Sequence, residues 1–400
     1  MRHPYHAAPN AARSSLDAKA HWFLGVAGAA LGCGALAAGD AGLLKHVEGG
    51  KAVYEAACAA CHGAAGQGAL QQVPGLKLPS SFPQFNECSQ STPEYARDYE
   101  ATIRHGGPAR GFSQIMPAFD GVLSARQIAQ VIRYLRSFCR EPGWPIGELN
   151  VPRALVTEKA FPESEVVLTT TVNATKARGI MNEIDYEQAF GKRDQLEIAL
   201  PYDWAARPGG GLTGGLGDIG IGDKHVLFSR LNANQDAPAY QATGSILSVE
   251  GEVILATGNH ARGVGAGEPS LNLFAAYDAL LPHQVFMESQ AGMDIPRHTE
   301  YGPRTAYVRA TFGTSVGEGP LGLGRLWSPM IEILGNHDLT AGSATQWSVI
   351  PEFQVTLNRR QHIRAAIGYS VPLNQSETQS QQFLAYFLWD WFDGGLLSGW

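Results

Sequence analysis

From residue 166 to residue 400 the side chains alternate between apolar and polar in runs of about ten residues, and few folds accept that pattern over so long a stretch. Val349, Pro351, Phe353, Val355 and Leu357 are apolar with mostly polar residues between them, and Ile363, Ala365, Ile367, Tyr369 and Val371 repeat the rule. Ala306, Val308, Ala310 and Phe312 oppose Tyr307, Arg309 and Thr311, while Phe383, Ala385, Phe387, Trp389 and Trp391 line one face of the last segment. About twelve such segments are centred near 170, 184, 197, 226, 250, 274, 288, 308, 330, 353, 367 and 386. Roughly 20 residues per strand and turn suit a closed antiparallel barrel of even strand number. Alternation alone fits a soluble sandwich as well. The absence of Cys after Cys139, the aromatics at strand ends and the terminal Trp400 favour a transmembrane β-barrel of about twelve strands.

A polytopic helical membrane protein is excluded, because only Trp22 to Ala38 forms a long apolar run, 17 residues at the front of the chain. Arg2, Arg13 and Lys19 precede it and Ala35, Leu36, Ala37 and Ala38 close it, so residues 1–38 read as a secretory signal peptide. An uncleaved anchor and lipidation at Cys33 stay open as alternatives. Charged residues at 17% and 47 glycines exclude disorder and a coiled coil. A net charge of −7, from 30 basic and 37 acidic residues, leaves no basic footprint for nucleic acid.

Between leader and barrel the most specific motif is Cys58-Ala59-Ala60-Cys61-His62. Two thiols one helical turn apart can form thioethers with the vinyl groups of a haem, and the adjacent imidazole can take the iron. A redox dithiol would want a preceding strand, and a zinc site a second ligand pair. Gly50 to Ala57 reads as a helix delivering the motif. Met116, the single Met between the leader and residue 150, stands in Ile115-Met116-Pro117-Ala118-Phe119, a turn fixed by its Pro. Ser124 caps a helix through Arg136 whose Ile128, Val131, Ile132 and Leu135 fall at helical spacing. His105 and His46 compete with Met116 as distal ligands. Cys88 and Cys139 are an even pair that an oxidising compartment would join, two separate buried thiols being the alternative.

These residues resemble a class I cytochrome c over roughly 47–140, which implies a small all-α domain with one covalent haem c. By that resemblance Cys58 and Cys61 anchor the haem, His62 is its proximal ligand and Met116 its distal ligand. His–Met ligation raises the reduction potential relative to two imidazoles and saturates the iron, so an electron carrier is expected rather than an enzyme. The domains are then 1–38 signal peptide, 39–141 cytochrome, 142–165 a Pro-rich linker and 166–400 barrel. The insert from Phe82 to Thr102 lies outside the minimal pattern.

Gly214 to Lys224, with its Gly-Leu-Gly-Asp core, resembles a segment of outer-membrane transporters associated with aromatic degradation pathways. In plan the whole chain resembles cytochrome-porin fusions. The resemblance implies electron transfer in the bacterial outer membrane, with the cytochrome domain in the periplasm or at the barrel mouth. Its partners would be periplasmic redox proteins, membrane lipid and an external electron donor or acceptor. A channel for a small substrate, with the haem domain as redox module or plug, is the alternative. Glu183, Asp185, Glu187, Glu197, Glu250, Glu252, Glu288, Glu332 and Glu352 sit on polar faces, either lining a lumen or facing water with Arg309 and Arg364 as partners.

Overall fold

The computed structural model describes residue 42 and residues 44–68, 82–175, 179–206, 210–232, 241–317, 325–375 and 379–391. The expected signal peptide, Cys33 and Trp400 lie outside these residues. From Leu44 onward the chain forms one compact unit.

Twelve antiparallel strands close into a barrel: β1 (Ser164–Asn173), β2 (Gly179–Phe190), β3 (Asp194–Ala206), β4 (Leu212–Leu216 and Ile219–Asn232), β5 (Thr243–Leu255) and β6 (Ser270–Leu280), then β7 (Val285–Pro296), β8 (Thr305–Thr314 and Val316–Gly317), β9 (Leu326–Asp338), β10 (Gln346–Thr356), β11 (Ile363–Pro372) and β12 (Gln382–Asp390). Each pairs with its neighbours in sequence, and β12 returns to β1 with Leu388 opposite Val167, so no edge is left open. The break in β4 falls at Gly217 and Asp218, where the Asp218 carboxylate accepts the Gly258 and Ala266 amides at 2.8 and 2.5 Å.

The alternation sorts the side chains as expected. Ile367, Val308 and Phe387 are 51, 49 and 46% exposed on the outer wall, whereas Glu288 and Glu332 on the inner wall are fully buried. A continuous outer band of this kind is a surface for lipid. Tyr202, Trp204, Trp347 and Tyr369 mark one rim of the band; Trp327, Trp389 and the stacked pair Tyr186 and Trp391 mark the other. Soluble-sandwich packing is ruled out by the closed ring.

The segment 142–165, expected to be a linker, is instead interior over most of its length. Asn150, Val151, Arg153, Ala154, Thr157, Lys159, Ala160, Phe161 and Glu163 are buried. The chain enters the lumen at the mouth where β1 begins and β12 ends, turns near Val156–Glu158, and returns to the same mouth. The two legs are tied by Lys159 Nζ to Asn150 Oδ1 at 2.9 Å and Asn150 Nδ2 to Glu163 Oε2 at 3.2 Å, and Lys159 and Glu163 form an ion pair within the returning leg. Leu149 and Phe161 anchor them in an apolar cluster with Val226, Ile246 and Phe274. Its polar groups find wall partners: Thr157 donates from backbone and hydroxyl to Glu332 Oε1, both at 2.5 Å, and the Leu155 amide to Glu352 Oε2 at 3.0 Å. The acidic residues of the wall therefore line the lumen. Arg309 and Arg364 partner Gln290 with the Val156 carbonyl, and Asp390, respectively.

The described part of the front domain is helical: α1 (Gly50–Ala57), α2 (Ala59–His62), α3 (Cys88–Ser91), α4 (Ala96–His105) and α5 (Ala125–Arg136). α1 crosses α5 closely. A Cβ at Gly50 would stand 2.0 Å from the Gln130 carbonyl oxygen, so only glycine fits there. Val53 and Tyr54 on α1 meet Ile128, Val131, Ile132 and Leu135 on α5, each large apolar side chain contributing about 1.5–3 kcal/mol. α5 starts on a reciprocal cap: Ser124 Oγ accepts the Gln127 amide at 3.3 Å and Gln127 Oε1 accepts the Ser124 amide at 2.9 Å. Gln127 Nε2 also reaches back to the Leu44 and Val47 carbonyls.

Candidate haem site

The sequence places Cys58 at the junction of α1 and α2, and His62 at the last position of α2. The turn is held by the Cys58 carbonyl, which accepts the His62 amide at 2.9 Å, and by Tyr54, whose hydroxyl donates to the Gly63 carbonyl at 2.6 Å. Cys58 is half-buried and Cys61 exposed, and both are free thiols. The other described cysteines, Cys88 and Cys139, are joined as a disulfide. Burial, with Cys61 beside it, pushes the Cys58 thiol up to about 12.

The His62 imidazole packs between Phe82 and Phe85, ring centroids 4.9 and 5.0 Å away. Its Nδ1 is buried and has no hydrogen-bond partner among the described residues. Burial pushes its pKa down to about 4, so the ring is neutral at ordinary pH and keeps a lone pair for a Lewis acid. Two reduced thiols one turn apart, next to a neutral imidazole with an unused buried nitrogen, fit a haem c.

Of the three expected distal donors, Met116 is the one packed on the domain core, in the same cluster as Cys58 and Ala59, while His46 and His105 are exposed. The Met116 loop runs beside the end of α4: the Gly107 amide donates to the Met116 carbonyl at 3.1 Å, and the Phe119 amide to the Ile103 carbonyl at 2.9 Å. The insert from Phe82 to Thr102, left without a role by its sequence, supplies Phe82 and Phe85 against the imidazole, and Tyr99 braces Phe85 edge-on at 6.1 Å. The Phe-x-x-Phe spacing before Cys88 was the available signal.

Several side chains of the domain contact the inner segment and barrel turns. Arg136 on α5 grips Glu148 with two guanidinium bonds of 2.5 and 2.6 Å and the Glu94 carbonyl with a third. Arg97 reaches Gln284 at 3.3 Å, Arg110 the Arg359 carbonyl at 3.4 Å, and Arg360 stacks over Phe112 at 4.5 Å. His362 of the barrel pairs with Asp390 and lies 3.9 Å from Glu94 of the domain. None of these contacts was foreseen, because each joins residues far apart in sequence.

A helical domain with an attachment motif for haem is thus joined in one chain to a closed twelve-strand barrel with an apolar outer wall. Residues 45–135 match the family model described as cytochrome C oxidase, cbb3-type, subunit III. No curated protein matches the chain. Among solved structures, the barrel is similar to an outer membrane channel from Pseudomonas putida F1, at 12% identity and TM-score 0.38 over 60% of this chain and 99% of that one. It is also similar to the KdgM porin, at 6% identity and TM-score 0.33 over 57% and 99%. The β domain of the Bordetella autotransporter BrkA is similar at 12% identity and TM-score 0.31 over 57% and 100%.

Proposed function

We propose that this chain transfers electrons between periplasmic redox proteins and a donor or acceptor at the outer membrane. The observation that supports the reading is the joining of a domain carrying the Cys58, Cys61 and His62 motif to a closed barrel, through a connector packed inside the lumen. In this reading Cys58 and Cys61 would carry one haem c covalently, and His62 and Met116 would ligate its iron. The haem, when bound, supplies a reversible one-electron couple. The chain's own residues set its surroundings: Phe82 and Phe85 keep water from His62, and the Arg136–Glu148 clamp fixes the domain to the segment entering the barrel.

Short turns support a periplasmic position for the mouth at which the inner segment enters. Of the connections described in full, those at this mouth are 191–193, 281–284 and 357–362, and those at the far end are 256–269, 297–304 and 339–345. Outer-membrane barrels carry their short turns on the periplasmic side.

A channel for a small substrate is the second reading, and the polar lumen favours it. Purified protein in liposomes separates the two. Electron transfer requires reduction of an enclosed acceptor by an external donor, with the haem spectrum changing in step. Solute flux without electron flow would reject it in favour of the channel.

A further inference from the structure

Three carboxylates inside the barrel converge, with ligand oxygens within 4.8 Å of one another: Glu158 at the bend of the inner segment, Glu187 on β2 and Glu197 on β3. Arg153 lies 2.6 Å from Glu187, 3.0 Å from Glu165 and 3.2 Å from Glu158, and Lys224 lies 3.5 Å from Glu250. Five carboxylates thus surround two cations. Glu197 is only 9% exposed and lies beside Glu250, and its Oε2 and one oxygen of Glu158 accept from no N–H or O–H donor among the described residues. Buried carboxylates without compensation cost several kcal/mol each, a cost that a bound cation offsets.

The glycine run of β4 lies beside these acids. Gly222 stands opposite Glu197 in the sheet. A Cβ there would sit 3.1 Å from Glu250 Oε1 and 3.6 Å from Glu197 Cβ, and one at Gly220 would strike Glu252 Oε1 at 1.8 Å. The glycines let the Glu250 and Glu252 side chains lie close against the β4 backbone beside Glu197.

We propose that Glu158, Glu187 and Glu197 hold one hard divalent cation of the magnesium, manganese and calcium class. An all-oxygen, all-carboxylate donor set selects such ions over softer ones, and bound water completes their coordination. The ion bridges the inner segment to β2 and β3. Arg153 neutralises Glu165 and part of Glu187, and the excess acid falls to the metal.

The test uses the full haem-loaded chain in detergent, freed of metal by a chelator and titrated with Mn²⁺ alone, following the free-ion electron paramagnetic resonance signal. Saturable binding of one ion per chain is expected, weakened about tenfold or more in Glu197→Gln and in Glu158→Gln. An unchanged haem spectrum and heat-dependent gel mobility establish that each variant is folded. Absence of saturable binding to the folded wild-type chain overturns the proposal, as does binding that both variants leave unaltered.

Discussion

Arg153 Nη1 stands 2.6 Å from Glu187 Oε1 and 3.0 Å from Glu165 Oε1, so one guanidinium from the inner segment joins two adjacent strands of the wall. Its carbonyl accepts the Tyr386 hydroxyl at 2.8 Å, which ties it to β12 as well. The segment is thus tied through this one residue to β1, β2 and β12.

Arg153→Ala should therefore cost about 3–5 kcal/mol, because buried carboxylates are left unpaired. Urea unfolding measures the loss. The same variant should raise conductance in planar bilayers over a nearly closed wild type. Wild-type conductance equal to that of the variant would show that the segment does not obstruct the lumen.

At the haem site, His62→Ala should abolish a stable holoprotein, and Cys58→Ala or Cys61→Ala should weaken covalent attachment seen by haem staining of denatured protein. Met116→His should lower the reduction potential, and Met116→Ala should remove the sulfur-to-iron band from the oxidised spectrum. A spectrum unaltered by Met116→Ala would transfer the distal role to another residue.

Gly50→Val should disturb the crossing of α1 and α5, since the added Cβ would stand 2.0 Å from the Gln130 carbonyl oxygen. A loss of about 1–3 kcal/mol is expected from overpacking. Thermal melting followed at the haem absorbance reads it separately from the barrel, and an unchanged melting temperature would contradict the packing described.

Cys139→Ser should remove about 4 kcal/mol from the front domain, the chain-entropy value for a loop of this length. Haem attachment should persist, because Cys58 and Cys61 are separate from that bond. Loss of haem staining in this variant would show that the disulfide shapes the attachment site itself.

The barrel was legible because its two faces meet different solvents, which writes a period of two into every strand from Val166 to Asp390. The haem motif was legible because its chemistry is local: Cys58, Cys61 and His62 lie within five residues. The inner segment was not. Pro152 and Pro162 interrupt any period, and residues such as Arg153, Thr157 and Lys159 look solvated until Glu187, Glu332 and Glu163 are brought around them. The contacts between domain and barrel turns were hidden for the same reason, since Arg97 and Gln284 or Arg110 and Arg359 meet only after the ring has closed.

Because the inner segment enters and leaves by one mouth, no chain end has to pass through the ring for it to come out. It is a hairpin laid into a cylinder and not a thread drawn through it. Withdrawing it would break its contacts with the wall and no strand pairing, and it would draw the tethered helical domain along with it. A barrel that empties would therefore be one whose cytochrome has let go.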